Sequence, residues 1–186
     1  MTEQVVRFVG VPERIELDDG IVIRRYVAAD VPTIVAVVNA SLDHLRPWMP
    51  WAQNPVTDET QGAWFRETDP QWDDGTNFVY GIFSAEGRLL GGTGFHVRNG
   101  PGVLEIGYWL ATDAVGHGVA TRTSAALTEA ARAVPGVTRV QIHCDEGNHR
   151  SGAIPQRLGY TLARVEPREP QAPGETGRHQ IWTFDV

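Results

Sequence analysis

The sequence has a single cysteine and no apolar leader. Cys144 is the one cysteine in 186 residues, which excludes a disulfide within the chain and a cysteine-rich zinc site, and no metal is expected. We interpret it as a small buried strand residue, because no neighbouring group lowers the pKa of its thiol toward that of a nucleophile. Charges interrupt the first twenty residues, so no signal peptide is predicted and a cytoplasmic location is the default expectation. These charges include Glu3, Arg7, Glu13, Arg14 and Glu16.

Basic residues are in deficit as well. Lysine and arginine number 16 against 23 aspartates and glutamates, and the net charge of −7 argues against a sequence-independent nucleic-acid binder. A mean hydropathy of −0.25 and 41 % hydrophobic residues are typical of a globular protein without a membrane span. The length fits one domain over residues 1–186, with residues 1–19 as an N-terminal extension. A homodimer would be its commonest assembly.

The charges are spread unevenly along the chain. The arginines between residues 122 and 157 are Arg122, Arg132, Arg139, Arg150 and Arg157. Acidic residues cluster earlier, at Asp69, Asp73 and Asp74. This asymmetry is compatible with an anionic cofactor on one side and a cationic acceptor on the other, while ordinary surface charge is the alternative.

Hydrophobic periodicity predicts seven strands and four helices. The predicted strands span residues 21–26, 77–83, 88–97, 103–111, 137–144, 160–165 and 179–186. The predicted helices span residues 30–45, with Asp30 as N-cap, then 58–68, 119–134 and 148–158. Short turns make the middle strands an antiparallel meander, whereas the later strand–helix–strand units need crossovers. The fold class is therefore mixed α/β (α+β), with a mostly antiparallel twisted sheet that contains one parallel junction.

A glycine loop joins the strand LEIGYWL to the helix that begins near residue 119. Gly116 and Gly118 carry no Cβ, so an anion can approach the backbone closely. The first N–H groups of a helix have no internal partner, and the helix dipole places partial positive charge there. The loop is thus a candidate pyrophosphate cradle. A triphosphate P-loop is excluded, because no Gly-Lys-Ser/Thr follows.

A dinucleotide site is the main rival interpretation. The order strand, G-x-G-x-x-T, helix, strand, followed by Asp145 or Glu146 as a ribose-binding acid, matches its pattern in part. The context does not fit, because more than a hundred residues precede the loop and only three strands follow it.

Four pieces in order carry a family resemblance: SLDHLRPWMPWA at 41–52, LEIGYWL at 104–110, VGHGVA at 115–120, and N-x-x-S with a closing LGY at 148–160. Together they resemble the GNAT acetyltransferase superfamily, and within it the subgroup that acetylates the N-termini of ribosomal proteins. The resemblance runs from about residue 14 to the C-terminus and implies the GNAT fold. It also implies acetyl-CoA as co-substrate and acetyl transfer to a primary amine by direct attack in a ternary complex.

The resemblance implies where acetyl-CoA would bind. Its pyrophosphate would lie on the loop N–H groups, and its pantetheine arm would pair with the preceding strand. Asn148 and Ser151 would face the pantetheine and the sulfur, although a helix N-cap is an equally good interpretation of Asn148. The remaining implied contacts are Tyr108, Trp109, Leu110, Val115, Gly116, His117, Gly118, Val119, Ala120 and Thr121.

Catalytic candidates follow from the same resemblance. Glu105 is the first candidate base and His143 the second, each with an ordinary strand residue as the alternative. Ser151 is assigned the general-acid role, because Pro155 stands where many GNAT enzymes have a tyrosine. Val115 replaces the usual glutamine or arginine of the loop, for which Arg122 or Arg150 are candidate substitutes.

Trp48, Trp51 and Trp72 lie where this subgroup builds its acceptor pocket. The alternative interpretation of these tryptophans is that they only pack in the core. The leading acceptors are a protein N-terminal α-amine and a small aminoacyl or antibiotic-like amine. A non-catalytic acyl-CoA-binding module is the alternative that Pro155 and Val115 motivate. The sequence predicts neither a nucleic-acid nor a membrane partner.

Overall fold

The computed structural model describes residues 6–186, so Glu3 of the signal-peptide argument lies outside it. One sheet contains eight strands in the spatial order β1-β2-β3-β4-β5-β6-β8-β7. The strands are β1 Arg14–Glu16, β2 Val22–Arg25, β3 Asn77–Phe83, β4 Leu89–His96, β5 Val103–Leu110, β6 Arg139–Asp145, β7 Thr161–Pro167 and β8 Arg178–Asp185. The helices are α1 Val31–Ala40, α2 Leu42–Leu45, α3 Asp58–Asp73, α4 Val119–Arg132 and α5 His149–Arg157.

The sheet is mixed, as predicted. Within residues 6–186 only β5 and β6 run parallel, because α4 carries the chain across between them, and every other neighbouring pair of described strands is antiparallel. The eighth strand is β1, which falls within the segment expected to precede the domain. Phe8 and Val11 of that segment are buried, so it contributes to the core.

The helices differ from the prediction at two places. The single helix predicted over 30–45 is two helices, because the chain leaves helical geometry at Ser41 (φ −113°, ψ 6°). Asp30 stands at the N-cap position, but its carboxylate binds Arg24 and the N–H of Val27 and makes no cap bond to α1. The helix predicted to end at residue 68 continues to Asp73 with Pro70 inside it.

Core residues cover both faces of the sheet. Ile106 of β5 belongs to a cluster with Leu104, Ile142 and the α4 residue Leu127, all of which are essentially inaccessible. Trp109, three residues further along β5, packs on a second cluster that includes Ile34 and Val38 of α1. Side chains alternate along a strand, so α4 and α1 pack on opposite faces.

The parallel junction opens toward one end. β5 pairs with β6 only over Val103–Ile106, opposite Arg139–Ile142, whereas its pairing with β4 continues to Leu110. Gly107–Leu110 therefore have no strand neighbour on the β6 side. This opening, which we call the β5/β6 split, positions the candidate site.

Candidate active site

A cleft of about 680 Å³ lies at the β5/β6 split. Its floor is the sheet, and its walls come from α1, α3, the segment around Trp48, the start of α5, and the loop before β8. The lining includes Glu105, Tyr108, His143 and Ser151, so these four predicted site residues share one cavity. The unpaired edge of β5 at Tyr108, Trp109 and Leu110 leaves backbone groups there without a strand partner.

The glycine loop has the geometry of an anion cradle. Gly116 and Gly118 have φ of 88° and 72°, and Gly118 is the N-cap of α4. No side chain caps α4, so the first-turn N–H groups of Val119, Ala120 and Thr121 face no protein acceptor of that kind. A Cβ built on Gly116 meets nothing within 4 Å, so the space above it is open. Free backbone donors at a helix start are typical of phosphate-binding loops.

Arg122, one of the two candidate substitutes for the usual glutamine or arginine of the loop, contacts the loop itself. It pairs with Asp19 at 2.8 Å and donates to the carbonyl oxygen of His117 at 2.8 Å, and a Cβ on Gly118 would lie 2.9 Å from its guanidinium. Arg150 is exposed on the first turn of α5. The backbone donors of Val115 to Gly118 are present whatever side chain stands at 115.

Asn148 and Ser151 are joined at the start of α5. The Oδ1 of Asn148 accepts from the N–H of Ser151 at 3.2 Å, so the helix-cap interpretation of Asn148 describes its contact. The hydroxyl of Tyr108 lies 2.9 Å from Ser151 Oγ. Sequence reasoning named Tyr108 for its backbone and missed this hydroxyl.

Cys144 lies beside this pair in the cleft wall. It is buried in β6, as expected, and burial raises the pKa of its thiol to about 11. The thiol is therefore protonated near neutral pH and is a poor nucleophile.

Glu105 lies on the cleft floor, 3 % exposed, with its carboxylate fully engaged. Arg98 binds both oxygens, and the Nδ2 of Asn99 donates to Oε2 at 2.7 Å. Burial alone would raise the pKa of Glu105, but the contacts with Arg98, His143 and Asn99 lower it to about 2. A carboxylate that binds protons so weakly, with both oxygens already accepting hydrogen bonds, is a weak general base.

His143 is better placed to take a proton. Its Nε2 donates to the Oε1 of Gln141 at 2.8 Å, so the lone pair of the neutral ring is on Nδ1. Nδ1 lies 3.6 Å from Glu105 Oε2, which stabilises the ring once it is protonated. Burial lowers the pKa of His143 below its usual value, against the raising effect of Glu105, so the ring is neutral near pH 7.

Two further histidines line this floor, and sequence reasoning missed both. His96 stands opposite Glu105 in the β4/β5 register, and burial with the nearby Arg98 charge lowers its pKa to about 4. The ring of His179 lies 5.4 Å from that of His143, edge to face. The β4/β5 hairpin predicted from the sequence contains the information needed to place His96 opposite Glu105. No local sequence pattern predicts that β8, which carries His179, lies next to β6.

The structure separates the three predicted acceptor tryptophans. Trp48 and Trp51 line the cleft, and Trp51 is 48 % exposed and packs edge to face on Trp109 at 5.9 Å. Trp72 is buried against Phe78 and Tyr80, so core packing describes it. Trp109 lies against the sheet because Gly92 beneath it has no side chain: a Cβ there would be 2.4 Å from the indole Nε1.

The acidic stretch lies away from the cleft. Asp69 and Asp73, at the end of α3, both pair with Arg25, at 2.8 and 3.0 Å. Arg25, which also pairs with Glu13, offsets only part of this negative charge, but neither aspartate lines the cleft, so the argument for a cationic acceptor there loses its structural basis.

Asp145 and Glu146, the acids of the rival dinucleotide interpretation, have structural partners. Asp145 accepts from the N–H groups of Gly147, Thr176 and Gly177, and Glu146 pairs with Arg178. They fasten the loop that forms one cleft wall.

Two cleft walls meet above the floor. The N–H of Gly174 donates to the carbonyl oxygen of Pro47 at 2.8 Å, which joins the loop before β8 to the segment around Trp48. A Cβ on Gly174 would lie 2.6 Å from that oxygen, so only glycine permits this approach.

Over residues 6–186, no group of three or more histidine, cysteine, aspartate or glutamate side chains is arranged to hold a metal ion. In the same range, no helix has the length and apolarity needed to cross a bilayer.

Comparisons with known proteins agree with this geometry. The acetyltransferase (GNAT) domain family matches residues 21–161. A Bacillus subtilis (strain 168) protein named "Putative ribosomal N-acetyltransferase YdaF" is 28 % identical over 150 residues, covering 78 % of this chain and 80 % of that protein.

Solved structures share the fold. The ribosomal L7/L12 alpha-N-protein acetyltransferase RimL in complex with coenzyme A matches with a TM-score of 0.85 at 22 % identity, over 94 % of this chain and 98 % of RimL. The microcin C7 self-immunity acetyltransferase MccE, solved with acetyl-CoA and AMP, matches with a TM-score of 0.85 at 19 % identity, over 94 % and 97 % of the two chains. Because the family match spans most of the sequence, the chain belongs to the GNAT family of acetyl-CoA-dependent N-acetyltransferases, as its glycine loop and the motifs around it predicted.

Proposed function

We propose that this enzyme transfers the acetyl group of acetyl-CoA to the α-amine at the N-terminus of a protein. The observation that carries the proposal is the cleft at the β5/β6 split, which brings a buried Glu105–His143 pair and the Tyr108–Ser151 pair into one cavity, on the strand that leads into the glycine loop. Acetyl-CoA supplies the activated acyl group as a thioester.

The cofactor end would be held mainly by backbone. The N–H groups from Val115 to Thr121 would take the pyrophosphate, in keeping with the open space above Gly116 and the uncapped start of α4. The unpaired edge of β5 from Tyr108 to Leu110 would pair with the amide groups of the pantetheine arm. A β5 N–H group at this edge is also placed to stabilise negative charge that develops on the acyl oxygen.

The contacts of the two candidate bases favour His143 over Glu105. His143 has a free Nδ1 and is neutral near pH 7, whereas the Glu105 carboxylate already accepts from Arg98 and Asn99. We assign the base to His143, acting directly or through water, and to Glu105 the stabilisation of the protonated ring. Ser151 provides the proton for the departing thiolate.

An α-amine suits this weak base. Its pKa of about 7.7 to 8.0 makes deprotonation at pH 7 cost about 1 kcal/mol, against 4 to 5 kcal/mol for a lysine side chain of pKa about 10.4. The ribosomal-protein acceptors in the names of YdaF and RimL favour a protein N-terminus. MccE, a self-immunity acetyltransferase solved with AMP, keeps a small antibiotic-like amine as the second candidate. Trp48 and Trp51 would contact the apolar part of either acceptor.

The test is release of free thiol from acetyl-CoA with a panel of peptides that carry ribosomal-protein N-terminal sequences. Each peptide is paired with an Nα-blocked copy that retains its lysines. We expect thiol release with the free α-amine and none with the blocked copy. The enzyme itself contains no lysine, so acetylation of its own lysine side chains cannot contribute.

Two results would overturn the proposal in different ways. Release only with small aminoacyl amines would move the acceptor to the second class. Acetyl-CoA binding without release over both sets of amines would favour the non-catalytic module.

A further inference from the structure

Pro155 leaves a gap in the hydrogen bonding of α5 at Ser151. In an α-helix each N–H donates to the carbonyl oxygen four residues earlier, so residue 155 would serve the carbonyl of Ser151. Proline has no N–H, and the intrahelical bond is therefore missing. The hydroxyl of Tyr108 lies 3.3 Å from this carbonyl oxygen and 2.9 Å from Ser151 Oγ.

Tyr108 reaches Ser151 from a different element, β5, at the point where β5 parts from β6. Ser151 is also fixed from its own helix, because its N–H donates to Asn148 Oδ1 at 3.2 Å. Its backbone is thus held at the N–H by Asn148 and at the carbonyl by Tyr108, and its hydroxyl contacts the same phenol. Burial raises the pKa of Tyr108 far above neutral, so the phenol keeps its proton during a reaction near pH 7.

We infer that Tyr108 is the positioning residue for Ser151, and that its hydroxyl donates to Ser151 Oγ when the serine gives its own proton to the CoA sulfur. A phenol supplied by β5 thus supports the serine in a helix where Pro155 excludes a tyrosine. The inference rests on the proposed function, because it concerns the thiolate that acetyl transfer releases.

The proton balance is closed without any net change at Tyr108. The attacking amine forms the C–N bond and loses one proton to His143, the C–S bond breaks, and the sulfur takes the proton of Ser151. The proton on His143 returns to Ser151 through solvent. Tyr108 only shares its proton with Oγ while Oγ carries charge.

Steady-state kinetics of Tyr108→Phe test this role, because phenylalanine keeps the ring and removes the hydroxyl. We expect kcat to fall about tenfold with the KM for acetyl-CoA unchanged, as loss of one hydrogen bond to a developing charge predicts. Ser151→Ala should lower kcat about 100-fold. Because Tyr108 acts through Ser151, adding Tyr108→Phe to Ser151→Ala should change kcat by less than about twofold.

Tyr160→Phe is the matched control. The Tyr160 hydroxyl bonds Thr128 Oγ1 at 2.6 Å, is buried and does not line the cleft. Its removal should reduce stability as much as Tyr108→Phe does and leave kcat unchanged. Equal losses of kcat in Tyr108→Phe and Tyr160→Phe would overturn the inference, and so would additive losses in the double variant.

A second measurement needs no acceptor. The pKa of the thiol of bound CoA is followed through the ultraviolet absorbance of the thiolate. Ser151→Ala should raise this pKa by about one unit, Tyr108→Phe by roughly half as much, and Tyr160→Phe by nothing. If Tyr108→Phe binds CoA normally and the pKa of the CoA thiol is unchanged, the inference about Tyr108 is overturned but the proposed function is not. Failure of the unmodified enzyme to bind CoA overturns the proposed function as well.

Discussion

The proposed cofactor end and the proposed acceptor end of the site are built differently. The proposed pyrophosphate and pantetheine contacts come mainly from one continuous stretch, β5 followed by the glycine loop and the start of α4, and their donors are backbone N–H groups. The acceptor end consists of side chains from β4, β5, β6, β8 and the segment around Trp48. Here the contacts are between charged or aromatic groups, such as Arg98 with Glu105 and Trp51 with Trp109.

This difference separates what substitution can change at each end. A backbone donor persists when its side chain changes, so Val115 can replace a glutamine or arginine without removing the cradle. A buried charge depends on every one of its partners, so loss of any one around Glu105 is costly. We expect the acceptor end to be the more sensitive to single side-chain changes.

The largest expected effect is at His143. His143→Ala should lower kcat by about 100- to 10,000-fold, the usual range for loss of a general base, with little change in the KM for acetyl-CoA. The pH dependence of kcat identifies the base: an acid limb below the usual histidine pKa indicates His143, because the free base is lost as pH falls. Glu105→Gln should move this limb to lower pH, because Glu105 raises the pKa of His143.

The opposite result would be a kcat that does not fall with pH until the enzyme unfolds in acid, together with full activity of His143→Ala. It would reassign the role of base to Glu105, whose pKa is about 2.

The second effect concerns stability at the acceptor end. The pKa of Glu105 falls from an ordinary 4.5 to about 2 on folding. At 1.36 kcal/mol per unit this stabilises the native state by about 3 kcal/mol above pH 4.5, and the stabilisation is lost as pH falls toward 2. Urea unfolding between pH 7 and pH 2 should show a shallower pH dependence in Glu105→Gln than in the unmodified enzyme.

Glu129→Gln is the control, because Glu129 pairs with Arg132 at 3.0 Å on the surface, where such pairs contribute little. If Glu129→Gln weakened the pH dependence of the unfolding free energy as much as Glu105→Gln does, the stabilising role of the buried Glu105 carboxylate would be contradicted.

The third effect concerns the cofactor end. Gly116→Ala should raise the Kd for acetyl-CoA about tenfold, because a methyl group at a positive φ strains the loop and blocks close approach of the pyrophosphate. Gly136→Ala is matched to it: φ is 83° against 88°, and neither Cβ would meet another atom within 4 Å. Both variants should lose similar stability in thermal unfolding. Calorimetric titration showing weaker binding in both, or in neither, would rule out the cradle.

The smallest expected effect is at the mouth of the cleft. Trp51→Ala should raise the acceptor KM about threefold to tenfold without lowering stability appreciably, because Trp51 is 48 % exposed. Trp72→Phe should reduce stability through its buried contacts and leave the acceptor KM unchanged. A raised acceptor KM in Trp72→Phe with an unchanged KM in Trp51→Ala would return Trp72 to the acceptor site.

Local patterns were sufficient for most of the fold. Alternation and turn residues predicted seven strands, and all of these except the largely exposed edge strand β7 contain buried side chains. The eighth, β1, has three residues with only Ile15 partly buried, and it exists because β2 pairs with it. The break at Ser41 is likewise tertiary, since its buried Oγ accepts from the N–H of Thr112.

The site was predictable where it is continuous in sequence. Glu105, His143 and Ser151 were found as separate candidates. The choice of His143 over Glu105 as the base depends on Arg98 and Asn99, which reach Glu105 from the hairpin before β5. His179 enters from β8, which only the sheet order places beside His143. Trp72 was misplaced because an aromatic residue has the same appearance in a sequence whether it faces a core or a cleft.

The hydrogen bond from Gly174 to Pro47 has a consequence for changing the acceptor range by protein engineering. It ties two loops that are distant in the sequence, and the lack of room for a Cβ fixes how closely they approach. Insertions or transplanted loops at one of these segments would separate the pair unless the other were changed to match. Point substitutions at Trp48 or Trp51 leave the tie intact, so they are the practical route to new acceptors, whereas the two loops have to be exchanged together.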